Sequence, residues 1–207
     1  MTSQALIPAP ARLAILGGGL LGRLLALELS AQGYSIDLYD RGGPEAEHAA
    51  ARVAAAMLAP LAESAVTEPG VVRMGHYGLT RWPELIAQLA EPVFIQQAGT
   101  MVVWHRQDAA EAQRFRGILE RTQNTIPELT PLQSVDRAGI NALEPGLATH
   151  FQQGLFLPAE GQLDNRQLLA ALVPTLAARG VRLHWHEARE VADFAPGQAG
   201  QPDWLID

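Results

Sequence analysis

An α/β fold, opened by a βαβ unit and interrupted by an inserted α+β segment, follows from three features of the sequence. Residues 13–16 form a short continuous apolar run, the pattern of a strand buried on both faces. Glycines follow at once and lead into residues 20–31, where Leu21, Leu24, Leu25 and Glu28 recur at helical spacing and Gly33 is placed to end the helix. Residues 34–39 then alternate as a second strand that stops at Asp40.

The rest of the chain predicts further elements. After a loop at 41–44, residues 49–56 are rich in small side chains. Residues 71–89 read as a helix broken at Pro83, followed by a hairpin of 93–96 and 100–105 turning at Gly99. Asp108 is placed to cap a helix reaching Thr122, since Ala109, Ala112, Phe115, Ile118 and Leu119 fall on one face. Residues 134–143 read as a short helix and 154–158 as a strand. Asp164 caps a helix over 166–178 that Gly180 ends, and 181–185 is a strand able to return to the first sheet. Residues 189–194 and 204–207 read as two strands around a Pro/Gly loop. This order assigns 1–75 and 160–207 to one discontinuous α/β domain and 76–159 to the insertion. Because the sequence stops within the last strand, the domain is expected to be truncated.

Composition narrows the functions. The 207 residues carry 15 basic and 22 acidic side chains, a net charge of −7, with the basic residues scattered. Nucleic acid is therefore not an expected partner. No cysteine is present, which excludes disulfides, thiolate zinc sites and cysteine nucleophiles. The N-terminal apolar stretch has no basic region ahead of it and is interrupted by Gly17, Gly18, Gly19, Gly22, Arg23 and Glu28, so it reads neither as a signal peptide nor as a membrane span. A cytoplasmic protein is expected.

The chemistry-bearing motif is Gly17-x-Gly19-x-x-Gly22, set between the first strand and the first helix. Its three glycines serve a tight turn, close approach of a pyrophosphate to backbone, and close packing of helix on strand. Phosphates then meet the helix N-terminus, where free N–H groups and the helix dipole favour negative charge. Asp40, eighteen residues after Gly22, is placed to accept hydrogen bonds from a ribose diol, and its charge disfavours a 2′-phosphate. The unit is thus Rossmann-like and predicts a dinucleotide. Geometry at this level leaves NAD and FAD both open.

Ala54-Ala55-Ala56-Met57-Leu58-Ala59-Pro60, with Glu63 just beyond, resembles the FAD-dependent amino acid oxidases (the DAO family), above all the glycine oxidases of thiamine biosynthesis. Residues 97–101 (QAGTM), 154–158 (GLFLP) and 161–164 (GQLD) resemble them too, so the similarity runs through essentially the whole chain. The resemblance implies FAD as cofactor, with a small-residue stretch beneath the flavin. It also implies oxidation of the CH–NH group of glycine or a related small amine or amino acid, by hydride transfer to flavin N5 with oxygen as acceptor. Three residues depart from the family's pattern: Ala56 stands where glycine is usual, Arg52 stands near a usual serine, and Arg189 replaces an apolar residue in the segment 187–191, whose backbone the resemblance places against the adenine. An alanine at position 56 is tolerated at negative φ and strained in the left-handed region.

Motif and resemblance together predict a cofactor-binding set of Gly17, Gly18, Gly19, Leu20, Leu21, Gly22, Asp40, Arg41, Ala55, Ala56, Met57 and Arg189. No catalytic side chain is assigned, because the mechanism that the resemblance implies requires no side-chain acid or base if the amine binds neutral; the resemblance also implies that the substrate-binding residues belong to a C-terminal half that this sequence is expected to lack. No metal site is expected: His184 and His186 share a face of a strand but have no third ligand at a recognisable spacing. Three other readings compete with the oxidase. A short, non-catalytic dinucleotide- or partner-binding protein would expose an apolar face and self-associate as a homo-oligomer. A D-amino acid dehydrogenase would pass electrons to a different acceptor. An NAD-dependent dehydrogenase would need a nicotinamide site, for which no sequence is present.

Overall fold

The computed structural model describes residues 10–207, so part of the N-terminal stretch weighed as an export signal lies outside the described residues. The chain forms two compact units. The first comprises the described residues up to Ala56 with Ile86–Phe94 and Asp164–Asp207, and the second comprises Met57–Leu85 with Ile95–Leu163. These junctions differ from the expected 75/76 and 159/160. Met57–Leu58 and Gly161–Leu163 pair as strands inside the second unit, and Val72 of the following helix lies in that unit's core.

The first unit opens with β1 (Arg12–Leu16), α1 (Leu20–Ala31) and β2 (Ser35–Asp40), followed by the short α2 (Ala50–Val53). The chain then enters the second unit through β3 (Met57–Leu58), α3 (Pro69–Ile86), β4 (Ile95–Gln96), β5 (Thr100–Val103) and α4 (Ala109–Thr125). β6 (Gln133–Asp136), α5 (Arg137–Leu143), β7 (Gln153–Leu157) and β8 (Gly161–Leu163) complete it. Its strands make two small antiparallel sheets, ordered β3-β8-β4 and β5-β7-β6. The expected hairpin of 93–105 is therefore absent: β4 pairs with β8 and β5 with β7. The chain changes sheet at Gly99, whose N–H donates to the Glu160 carbonyl at 2.8 Å, in the segment where the β7–β8 connection makes the same crossing.

Other departures have local causes. Pro83 does not break α3. It offers no N–H to the Leu79 carbonyl one turn earlier, and Gln97 Nε2 donates to that carbonyl instead, at 2.6 Å. Asp108 precedes α4 but makes no capping bond, because a 3₁₀ turn over Arg106–Asp108 runs straight into the helix. Residues 134–143 divide into β6 and α5, where Asp136 Oδ1 accepts from the Gly139 N–H at 2.8 Å and starts the helix there.

The core of the second unit is Leu61, Val72, Leu119, Ile126, Leu129, Leu155 and Leu157. Beside it the Glu160 carboxylate, 2% exposed, accepts from the N–H groups of Leu61 at 2.9 Å and Ala62 at 2.7 Å. Burial pushes its pKa above the ordinary 4.5, against the bonds from Ala62, Thr100 and Leu61 that favour the charged form.

The chain returns to the first unit through α6 (Asn165–Ala178), β9 (Arg182–Trp185) and β10 (Trp204–Ile206). Asp164 Oδ1 accepts from the N–H groups of Arg166 and Gln167, both at 2.9 Å, and caps α6. All four strands of this sheet run parallel, in the order β10-β1-β2-β9. Leu13, Ile15, Ala26, Leu27, Ile36, Leu38, Leu168, Leu172 and Leu176 are buried around it, with α1 against α6. Of the two terminal strands expected, only β10 forms. Residues 189–194 contain instead a 3₁₀ turn over Val191–Asp193, closed by reciprocal bonds between Glu190 and Asp193.

The raised pKa of Glu160 fixes the sign of a pH effect. The folded state holds this proton when the unfolded state has released it, so the stabilisation is complete below about 4.5 and is lost as pH rises through the higher folded value. Glu160→Gln keeps a carbonyl for the Leu61 and Ala62 amides without the charge. Urea titrations from pH 4 upward are expected to show a flatter stability profile for the variant; parallel profiles would refute the assignment.

Candidate functional site

The turn after β1 is built by backbone contact. Gly17 sits at φ +101°, a conformation that side chains other than glycine rarely adopt, and its N–H donates to the Tyr39 carbonyl at 2.8 Å. α1 then crosses so close behind that a Cβ on Gly22 would lie 1.9 Å from the Gly17 carbonyl oxygen. The first-turn amides of α1 have no partner within the helix, and Gly19 N–H donates to no acceptor among the described residues.

Three side chains fix the middle of the turn. Asp40 Oδ2 accepts from the Gly18 N–H at 2.6 Å, while its Oδ1 accepts from the Gly42 N–H at 2.6 Å. On the other side of the Gly18 residue, Arg23 Nε donates to the Gly18 carbonyl at 2.6 Å. Trp185, at the end of β9, covers the same residue: a Cβ on Gly18 would lie 2.6 Å from its Cζ3. The Arg23 guanidinium in turn lies 4.9 Å from the centroid of that indole.

Around this turn lies a cavity of about 470 Å³, within the range of small-molecule sites. Of the predicted residues, it brings together Gly17, Gly18, Gly19, Asp40, Arg41 and Arg189. Leu20, Leu21 and Gly22, at the start of α1, do not line it, and Leu21 is 81% exposed. Ala55 and Ala56 end the first stretch of the first unit, and Met57 begins the second, where it lines an apolar hollow with Leu58, Val71, Met74 and Trp82. Ala56 sits at φ 55°, the left-handed geometry that strains an alanine. Arg52 is turned away to donate to the Glu45 carbonyl at 2.8 Å.

Sequence reasoning missed Ala46, Glu47, His48, Ala49 and Asp207 on the cavity wall, and the supporting pair Arg23 and Trp185. Arg23 had a visible signal: it is the one basic residue in a helix of twelve residues whose other polar side chains are Glu28 and Ser30. The segment after β9 lines the cavity through Glu187, Ala188 and Arg189, and the Glu187 N–H donates to the Asp40 carbonyl at 2.9 Å. His184 and His186 do not share a face. His184 Nε2 lies 2.8 Å from Asp37 Oδ1, whereas His186 follows β9 at φ 58° and donates its N–H to the Gly42 carbonyl.

Charge is distributed unevenly around the cavity. Asp40, Glu47, Glu187, Glu190 and Asp207 line it against Arg41, Arg189 and His48. Arg189 is held by Glu187, whose hydrogen bonds raise the guanidinium pKa further. Nearby, burial pushes Asp37 up, but the bidentate bond from Arg182 and the contact with His184 outweigh it and hold its carboxyl below 3.8.

A parallel sheet with a glycine turn at the end of its first strand, open helix amides beside a cavity and a carboxylate ending the next strand define a dinucleotide-binding α/β protein. Residues 12–201 match the DAO family of FAD dependent oxidoreductases, and the chain belongs to that family, whose cofactor is FAD. It is 33% identical over 172 residues to a putative thiamine biosynthesis oxidoreductase ThiO of Rhizobium etli, across 83% of this chain and 48% of that protein. It is 25% identical over 197 residues to a glycine oxidase of Geobacillus kaustophilus, across 90% of this chain and 48% of that one. The crystal structure of glycine oxidase from Geobacillus kaustophilus superposes with a TM-score of 0.69 at 23% identity, over 85% of this chain and 47% of that chain. The chain thus spans about half the length of these relatives. Among the described residues no helix is long and apolar enough to cross a membrane.

Two substitutions test the local geometry. Gly22→Ala forces α1 off the turn, with an expected loss of about 1–3 kcal/mol in urea unfolding and of nucleotide binding; an unchanged FAD titration would contradict the packing described. Ala56→Gly relieves a strain of about 1–2 kcal/mol. It is therefore expected to leave stability equal or higher, whereas Ala171→Gly inside α6 should cost about 0.5–1 kcal/mol. Equal losses in both would show that Ala56 is not strained.

Proposed function

We propose that this chain carries the FAD-holding part of an oxidoreductase that acts on the CH–NH group of glycine or a related small amine or amino acid, with oxygen as acceptor. The observation that carries the reading is the match over residues 12–201 joined to the open cradle at Gly17–Gly22. The cradle suits the group: Gly19 leaves the space in front of its backbone free, its nearest neighbour to an added Cβ being Ala49 at 3.8 Å.

In this reading the amides of Gly19, Leu20 and Leu21 hold the pyrophosphate, where backbone dipoles meet two negative charges. Asp40 keeps accepting from Gly18 and Gly42 while the remaining lone pairs of its carboxylate take the ribose hydroxyls. Arg41 and Arg189 would contact the adenosine, and Ala55, Ala56 and Met57 would supply the stretch that the flavin ring rests on. Bound flavin supplies a two-electron acceptor for the carbon that bears the amine. The protein's share is binding and orientation, and no acid or base of this chain is required if the amine binds neutral. The names of the relatives, a thiamine biosynthesis oxidoreductase and a glycine oxidase, support a small amino acid as substrate.

FAD is expected to co-purify with the chain or to be taken up on addition, giving flavin absorbance that is released by denaturation. The natural protein containing this sequence is expected to form peroxide from glycine, sarcosine or a D-amino acid. Absence of flavin uptake would overturn the cofactor assignment. Flavin uptake with no peroxide from any of these amines would overturn the substrate and acceptor.

A further inference from the structure

Arg23 is fully buried, the only fully buried lysine or arginine among the described residues. All its bonds go to backbone carbonyls: Gly18 at 2.6 Å, Leu169 at 2.7 Å and Pro44 at 2.9 Å. Among the described residues no carboxylate lies within ion-pair distance. Burial pushes the guanidinium pKa down while Asp40, Glu45 and Glu47 act from farther off to hold it up, and an arginine keeps its charge under any such shift. Enclosing a cation without a bonded anion carries a desolvation penalty that its carbonyl bonds have to offset.

The geometry of the turn gives the charge a use. Gly18 is gripped from both ends, its N–H by Asp40 and its carbonyl by Arg23. In a trans peptide the carbonyl and the following N–H point in opposite directions, so fixing the Gly18 carbonyl toward Arg23 turns the Gly19 N–H away from it. Gly19 lines the cavity and that N–H donates to no acceptor among the described residues. The cavity wall itself presents five carboxylates against two arginines, so a dianion entering it is repelled by the rim. Attraction has to come from the turn itself, where Gly19 lines the cavity with an open N–H and Arg23 lies behind the Gly18 carbonyl.

We propose that Arg23 is a positioning residue for a pyrophosphate group. It locks the Gly18–Gly19 peptide with the Gly19 N–H facing the cavity, and it supplies, behind the Gly18 carbonyl, the buried positive charge that the pyrophosphate dianion neutralises. This rests on the dinucleotide reading of the same cavity and adds to it the part of the ligand that Arg23 selects. Trp185 completes the device by covering both the guanidinium and Gly18, which keeps water from screening the charge.

Calorimetric titration of the whole chain with ADP and with adenosine, for the wild type, Arg23→Met and Arg23→Lys, tests the proposal, with circular dichroism as the check on folding. Arg23→Met is expected to weaken ADP by about tenfold or more, the scale of a charge-assisted interaction, and to flatten the salt dependence of ADP binding. Adenosine affinity is expected to stay within about twofold, well under the 1.4 kcal/mol that a tenfold change represents. Arg23→Lys, which keeps the charge and loses part of the carbonyl bonding, should recover part of the ADP affinity. Equal weakening of ADP and adenosine would reduce Arg23 to a prop for the turn and overturn the proposal, as would unchanged ADP binding. If neither variant folds, the wild type decides: ADP must raise its melting temperature more than adenosine does, increasingly so at low salt, and equal rises overturn the proposal. A wild type that binds neither ligand instead overturns the dinucleotide reading itself.

Discussion

The contact between α1 and the backbone of the turn before it is the constraint on which the first unit depends. With no side chain at Gly22, the helix comes within reach of the Gly17 carbonyl, and its open N-terminus is thereby held at the end of β1. That placement makes the amides of the first turn available to a ligand and aligns α1 for packing on α6. It also brings Arg23, one residue further on, directly beneath Gly18. A larger residue at position 22 would therefore disturb ligand binding and core packing through one displacement.

Polar groups inside this protein are tied mainly to backbone. Arg23 joins three segments distant in sequence, ending at Gly18, Pro44 and Leu169. Glu160 does the equivalent in the second unit by receiving two amides at the start of a 3₁₀ turn. Asp40 bridges Gly18 and Gly42. Such bonds immobilise loops that hydrophobic burial cannot reach, since loops carry unpaired backbone groups that must find partners when enclosed.

Much of the first unit was legible because its determinants are local. The apolar run at 13–16, the glycine spacing and the alternation ending at Asp40 each act within a few residues, and β1, α1 and β2 form where those patterns lie. Asp164 capping α6 is equally local. The second unit was read less well because its partners are distant. Nothing near Ile95 shows that it pairs with Leu163, and nothing near Pro83 shows that Gln97 satisfies the carbonyl it leaves free. At the cavity, Gly17, Gly18, Gly19 and Asp40 are visible from spacing, whereas Trp185, which covers Gly18 from the end of β9, comes about 145 residues after Asp40, a separation that no local pattern encodes.

The opening βαβ unit, its glycine turn and the acid at the end of β2 follow from the residues alone, because steric freedom at glycine and the period of apolar residues are properties of short segments. Tertiary structure alone decided which sheet each short strand joined, where the two units divide, and that Ala56 adopts a left-handed conformation. It also decided the role of Arg23. A lone arginine among leucines reads as an interruption of a helix, and its partners become apparent when long-range packing folds Gly18, Pro44, Leu169 and Trp185 around one buried charge.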